Sequence, residues 1–154
     1  MINKRPSDYL QPILVVEDND DDFDTVVVAA QRANVRNRLV HAHSVDDARR
    51  LLALTPGSAF AFVLLDCSLP GEDGLSLLYE LRQNGPYRSL PVIVLTASMN
   101  ARDRNAFYAA GANAYHVKNV AFEASLSTIQ HIFRYWLIDV ILPTTNVLQP
   151  GKSE

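Results

Sequence analysis

Short apolar runs alternate with helix-spaced apolar stripes along most of this chain. The runs are Ile13 to Val16, Arg38 to His43, Phe60 to Leu65, Leu90 to Leu95 and Ala114 to Val117. They are brief and either β-branched or almost continuously apolar, as strands buried on both faces of a parallel sheet are. Between them, Phe23, Val26, Val27 and Ala30 form a first helical stripe. Ser44 is the N-cap expected for a second helix, with Asp46 and Asp47 in its first turn and Ala48, Leu51 and Leu52 on its apolar face. Leu75, Leu78 and Leu81 mark a third helix, and residues 101–110 a fourth, closed by Gly111. In the last helix Phe122, Leu126, Ile129, Phe133 and Trp136 step by four, three, four and three.

Five strands alternating with five helices predict an α/β domain with a doubly wound parallel sheet. Right-handed crossovers and the strand order 2-1-3-4-5 put strands 1, 3 and 4 in the middle. Sites in such sheets lie at the carboxyl ends of the strands. Two predicted strands end abruptly in acid there: Ile13-Leu14-Val15-Val16 runs into Glu17-Asp18, and Val63-Leu64-Leu65 runs into Asp66. Thr96 ends a third. Ionised carboxylates brought to one edge repel each other, so a proton or a cation must sit among them. All-oxygen ligands favour Mg²⁺ or Ca²⁺ over Zn²⁺. A cation held beside a further carboxylate is equipment for phosphoryl chemistry.

Composition narrows the classes. The 154 residues fit one domain with a substantial core, and a net charge of -3 does not suggest binding to nucleic acid or an anionic membrane. The single cysteine, Cys67, excludes an internal disulfide and fits a reducing compartment. Met1 to Pro12 has no apolar segment of a secretory signal, and no run reaches the ~18–20 apolar residues of a spanning helix. The expectation is a soluble cytoplasmic protein.

Glu17-Asp18, then Asp66-Cys67-Ser68-Leu69-Pro70-Gly71-Glu72-Asp73-Gly74, then Thr96-Ala97 and Lys118, resemble the signature of two-component response-regulator receiver domains. The resemblance implies a flavodoxin-like (βα)5 fold over residues 12–137, with an N-terminal extension over 1–11 and a C-terminal arm over 138–154. It implies that Asp66 accepts a phosphoryl group from a sensor histidine kinase. Glu17, Asp18, Asp66 and the Ser68 main-chain carbonyl would hold Mg²⁺. Lys118 and Thr96 would meet the phosphoryl group, Ala97 would leave room above it, and Tyr115 would turn inward when Thr96 moves. Asn119 stands where many receivers carry proline, so a trans Lys118–Asn119 bond is expected. The ending Phe133-Arg134-Tyr135-Trp136-Leu137, with Ile141-Leu142-Pro143, is similar to single-domain regulators paired with phytochrome-type kinases, which makes a bacteriophytochrome the expected kinase. Only about seventeen residues follow the receiver pattern, too few for an output domain.

Some features read as structural. Asp20, Asp21 and Asp22 open a helix and offset its dipole. An EF-hand is excluded, because Phe23 and Ala29 stand where its glycine and glutamate belong. Cys67 reads as a small buried hydrophobe. His41 and His43 share a strand face, but with no third ligand in the sequence they read as packing or surface residues, as do His116 and His131. Beyond the inner stripe of the last helix an apolar surplus remains. Ile132, Tyr135, Trp136, Ile138, Val140, Ile141, Leu142 and Pro143, with Val147 and Leu148 beyond, are expected to form a homodimer interface. Two rival functions compete with this reading. One is a receiver fold used only as an interaction module. The other is an aspartyl-phosphate phosphatase, against which Ser68 stands where that family needs a second aspartate.

Overall fold

A computed structural model describes residues 10–54, 60–69 and 74–143. Five strands, β1 (Ile13–Val16), β2 (Leu39–Ala42), β3 (Val63–Leu65), β4 (Val92–Thr96) and β5 (Ala114–Val117), form one sheet in the order β2-β1-β3-β4-β5. Every neighbouring pair is parallel. The helices are α1 (Asp20–Arg32), α2 (Val45–Leu54), α3 (Gly74–Gln83), α4 (Ala101–Ala110) and α5 (Phe122–Arg134). The expected topology is therefore the observed one. β3 starts at Val63 rather than Phe60, although Phe60, Ala61 and Phe62 are buried.

The apolar runs have the physical cause assigned to them. β1, β3 and β4 are buried at every position because helices cover both faces. The edge strands β2 and β5 are partly exposed, and they carry His41 and His116. Alternate residues divide the core into two layers. Leu14, Val16, Val63, Leu65, Val92 and Val94 pack with α2, α3 and α4. Ile13, Val15, Leu64, Ile93 and Leu95 pack with α1 and α5.

Side chains set the helix ends. Asn19 accepts the Asp22 amide at 2.9 Å, Ser44 the Asp47 amide at 3.0 Å, and Asn100 the Arg102 amide at 2.9 Å. α4 stops at Gly111, whose φ of 106° only glycine adopts without strain. Arg82, on α3, donates to the carbonyl oxygens of Gly111 and Leu90 and to Asn113 Oδ1, tying α3 to the segments that lead into β4 and β5.

The last helix corrects one expectation. Ile132 is 2 % exposed, so it belongs to the core and not to an outward interface, whereas Phe122 is exposed. The buried arc of α5 is Leu126, Ile129, Ile132 and Phe133, because a globular helix buries the wider stripe that includes both the i+3 and i+4 neighbours. A π-helical turn, Tyr135–Asp139, follows.

α3 begins against the second acidic strand end. A Cβ added at Gly74 would lie 2.6 Å from the main-chain oxygen of Asp66. Backbone cannot yield as a flexible side chain does, so Gly74→Ala is expected to destabilise the fold by about 1–3 kcal/mol. An unchanged urea midpoint would show that α3 does not press on this strand end.

Candidate functional site

Among the described residues, the buried polar or charged side chains are Glu17, Asp66 and Thr96. All three sit at or just beyond strand ends on one sheet edge, for a reason of register. Val16 is level with Leu65, and Leu65 with Val94, so residues one step further along β1 and β3 emerge side by side. The Asp66 amide donates to Val16 O at 3.1 Å, the Glu17 amide to Ala42 O at 2.9 Å and the Lys118 amide to Thr96 O at 2.7 Å.

The side chains converge on Lys118. Its Nζ donates to Glu17 Oε2 at 2.7 Å, Asp22 Oδ2 at 2.8 Å and Asp66 Oδ2 at 3.1 Å. Asp66 Oδ1 accepts the Ser68 amide at 3.0 Å, and Glu17 Oε1 accepts the Asn19 amide at 3.1 Å. Carboxylate oxygens of Glu17, Asp18 and Asp66 lie within 4.8 Å of one another, with Asp18 exposed. Ser68 and Ala97 are also exposed, beside the edge. The donor set is oxygen-rich and carries more negative charge than one ammonium can offset. That is the environment a hard divalent cation requires.

The electrostatics follow from burial. Burial pushes the Glu17 carboxyl from its usual 4.5 up to about 7; Lys118 opposes the rise and Asp66 adds to it. Burial also works against the charged form of Lys118. Hydrogen bonds to Asp22 and Glu17 and the charge of Asp66 outweigh it, and the ammonium is held above its usual range. Both directions stand together, because one ammonium shared among three carboxylates cannot satisfy them all.

A second layer lies beside this cluster. Thr96 is fully buried and its hydroxyl oxygen accepts the Ser98 amide at 3.3 Å. Tyr115 OH donates to Ser98 O at 3.0 Å and lies 3.8 Å from Cys67 Sγ. Its ring packs against the core beside Phe107, so Tyr115 is already turned inward in this structure. Burial pushes its phenol up to about 12 and also raises the Cys67 thiol, which disfavours the reactive thiolate. Ser98 Oγ donates to Asp103 at 2.6 Å, so this loop is fixed from both sides.

Sequence reasoning missed Asp22, which it read as one of three helix-dipole acids. A helical side chain leans towards its helix N-terminus. An acid in the first turn of α1 can therefore lean back onto the preceding strand end, and that geometry was the available signal. Pro70 to Asp73, part of the quoted motif, and the arm residues Val147 and Leu148 lie outside the described residues. Among the described residues no peptide bond is cis, in line with the trans bond expected before Asn119. At the carboxyl end of α5, Tyr135, Ile138 and Ile141 are exposed. Trp136 and Leu142 pack partly against their own core, so the arm is in part folded back. Val140 is half-buried and Pro143 exposed.

The family model of the response regulator receiver domain matches residues 13–130. The probable methanogenesis regulatory protein FilR2 of Methanothrix harundinacea is 32 % identical over 81 % of this chain and 83 % of its own length. Response regulator Rcp1 of Synechocystis is 38 % identical over 53 % of this chain and 55 % of its own length. The crystal structure of its Mn²⁺-bound form superposes with a TM-score of 0.80 at 30 % identity, covering 87 % of this chain and 99 % of that one. The phosphorylated cyanobacterial phytochrome response regulator RcpA superposes equally well, at 0.80 and 26 % identity, covering 86 % and 98 %. The chain spans about half the length of several curated transcriptional regulators that it also matches, among them BasR of Escherichia coli, at 52 %.

The raised Glu17 carboxyl has a consequence of definite sign. In the unfolded chain Glu17 loses its proton near 4.5, and in the folded chain near 7. The folded state binds more protons in that window, so rising pH favours unfolding there. In chelator-treated protein, the stability of the wild type relative to Glu17→Gln is expected to fall as pH rises through the window. Urea midpoints at several pH values measure it, and parallel profiles for the two proteins would contradict a raised Glu17.

Proposed function

Because this chain belongs to the response regulator receiver family, we propose that it takes a phosphoryl group on Asp66 and passes the signal on by changing its protein contacts. The observation that carries this reading is the setting of the Asp66 carboxylate. It stands at the end of a central strand, 7 % exposed, between the Glu17 and Asp18 acids and the Lys118 ammonium. A carboxylate oxygen attacks phosphorus and forms an acyl phosphate, while the bond from phosphorus to the donor breaks and the donor keeps that electron pair. With a phosphohistidine donor the leaving imidazole takes up a proton.

Glu17, Asp18 and Asp66, with the Ser68 main-chain carbonyl, would hold Mg²⁺, which would supply positive charge beside the phosphoryl oxygens. Lys118 pairs with the phosphoryl group once Asp66 Oδ2 is esterified, and the Thr96 hydroxyl turns from Ser98 to donate to a phosphoryl oxygen. Ala97 leaves the approach open. Each new charge-assisted bond nets about 1.5–3 kcal/mol. A near-complete swing between two states needs about 5.5 kcal/mol. Thr96 and Lys118 together supply about 3–6 kcal/mol, which meets this at the upper end of the range, and one alone falls short. Tyr115 shares Ser98 with Thr96 as a hydrogen-bond partner, so a moving Thr96 disturbs the Tyr115 anchor.

The donor in this reading is a sensor histidine kinase, and the similarity to a phytochrome response regulator favours a phytochrome-type kinase. The receiver takes up residues 12–137. The arm spans 138–154, and in its described part Ile138, Val140, Ile141 and Pro143 continue the exposed Tyr135 to form the patch proposed for homodimerisation. Trp136 and Leu142 contribute through their outer faces and Ile132 not at all. Among the described residues no helix is long and apolar enough to cross a membrane.

Two measurements follow. Incubated with acetyl phosphate and Mg²⁺, the wild type is expected to gain one phosphoryl group by intact mass. Asp66→Asn, and wild type with EDTA, should gain none. Equal adducts on wild type and Asp66→Asn would remove Asp66 from the role, and no adduct at all would favour a receiver fold used only for interaction. By sedimentation at micromolar concentration the chain should be a dimer that Ile138→Glu with Ile141→Glu converts to monomer. A monomeric wild type would sink the dimer.

A further inference from the structure

A second cluster of metal-ligand type lies at the other side of α1, outside the acidic site. Ligand atoms of Asp20, His41 and His43 lie within 4.8 Å of one another. The sequence presents only the two histidines, His41 in β2 and His43 just past its end; the fold supplies the third ligand from the first turn of α1. His43 Nε2 stands 3.6 Å from Asp20 Oδ1. Two bonds of ~2.1 Å at a tetrahedral angle place their ligand atoms ~3.4 Å apart, so this pair is already nearly spaced for a metal. His41 is held by two rings: it stacks on Phe23 at 3.8 Å and 7°, and His43 lies against it at 3.8 Å, tilted by 31°. His41 Nε2 is 2.7 Å from the Glu17 main-chain oxygen. A carbonyl only accepts, so Nε2 carries a proton, and in the neutral ring the lone pair is on Nδ1. A ligating histidine is ordinarily oriented by such a bond on its other nitrogen. Asp47 Oδ2 stands 3.6 Å from His43 Nδ1, on the side away from Asp20.

We propose that Asp20, His41 and His43 form a binding site for a borderline transition-metal cation such as Zn²⁺, distinct from the all-oxygen site at Glu17, Asp18 and Asp66. Two imidazoles and one carboxylate suit Zn²⁺, Ni²⁺ or Cu²⁺, whereas Mg²⁺ prefers the oxygen cluster. Small rotations of Asp20 and His43, whose side chains are 83 % and 61 % exposed, close the set around the ion. The remaining coordination position faces solvent and takes water. The His41 bond to the Glu17 main chain ties this site to the acidic edge.

The test is calorimetric titration of Zn²⁺ into the full chain, free of any polyhistidine tag, with Mg²⁺ in excess to fill the oxygen site. Wild type and Asp18→Asn are expected to bind one Zn²⁺ each. His43→Ala and Asp20→Asn should bind at least about tenfold more weakly. Both replaced side chains are exposed, so far-UV circular dichroism should be unchanged. With Co²⁺ as probe, the visible absorption of the nitrogen-ligated ion should fall in His43→Ala and persist in Asp18→Asn. Zn²⁺ affinity indifferent to His43→Ala, no Zn²⁺ binding, or binding lost in Asp18→Asn would each overturn the proposal, the last by moving the ion to the oxygen cluster.

Discussion

The Lys118 ammonium, shared by Glu17, Asp22 and Asp66, is the constraint on which the carboxyl edge of this domain depends. It gathers groups from the ends of β1, β3 and β5 and from α1 into one cluster whose side chains, apart from that of Asp22, are largely removed from water. A buried charge is costly unless paired, and one cation cannot fully pair several acids. The cluster is therefore held together and kept unsatisfied at the same time. Burial raises Glu17, with Asp66 adding to the rise, and the imbalance suits the edge to added positive charge. A site at rest in perfect balance would have little to gain from a cation or a phosphoryl group.

The rest of the fold keeps this edge in place. The central strands are apolar throughout, and the buried polar residues among those described occur only where the strands end. Two rigid hydrocarbon layers thus fix the spacing of the carboxylates to the register of the sheet. The joints to the surrounding helices are tight. Gly74 leaves no space for a side chain against Asp66, and Arg82 ties α3 to the loops that precede β4 and β5. Such joints transmit a displacement at the strand ends to α3 and α4, because packed interiors deform little.

Polarity changes along this edge in a way that matters for signalling. The β3 end holds acids. The β4 end holds neutral hydroxyls, with Thr96, Ser98 and Tyr115 linked by hydrogen bonds. A new anion at the β3 end would draw the Thr96 hydroxyl, and the Tyr115 anchor shares the Ser98 backbone with it. His41, with His43 against its ring, reaches the same edge through the main chain of Glu17. The apolar end of α5 lies apart from both, with Ile132 inside and Ile138 and Ile141 outside.

The sequence by itself determined the five strands, their parallel order, the helix caps at Ser44 and Gly111, and the acids and hydroxyl at the strand ends. The order follows from alternating strands and helices with right-handed crossovers, and the rest from local chemistry: apolar runs without alternation, side chains that cap their own helix, polar residues ending a strand. The tertiary structure alone decided which groups touch. Asp22 reads in sequence as a helix-dipole acid; only the packing of α1 against the sheet brings it to Lys118. Ile132 reads as surplus until α5 is rotated onto its partners, and Asp20 is unconnected to two histidines about twenty residues away until β2 lies beside β1. Periodicity specifies which face an element buries, but the rotation of that element against its neighbours is set by side chains distant in the chain, and contacts between elements depend on that rotation.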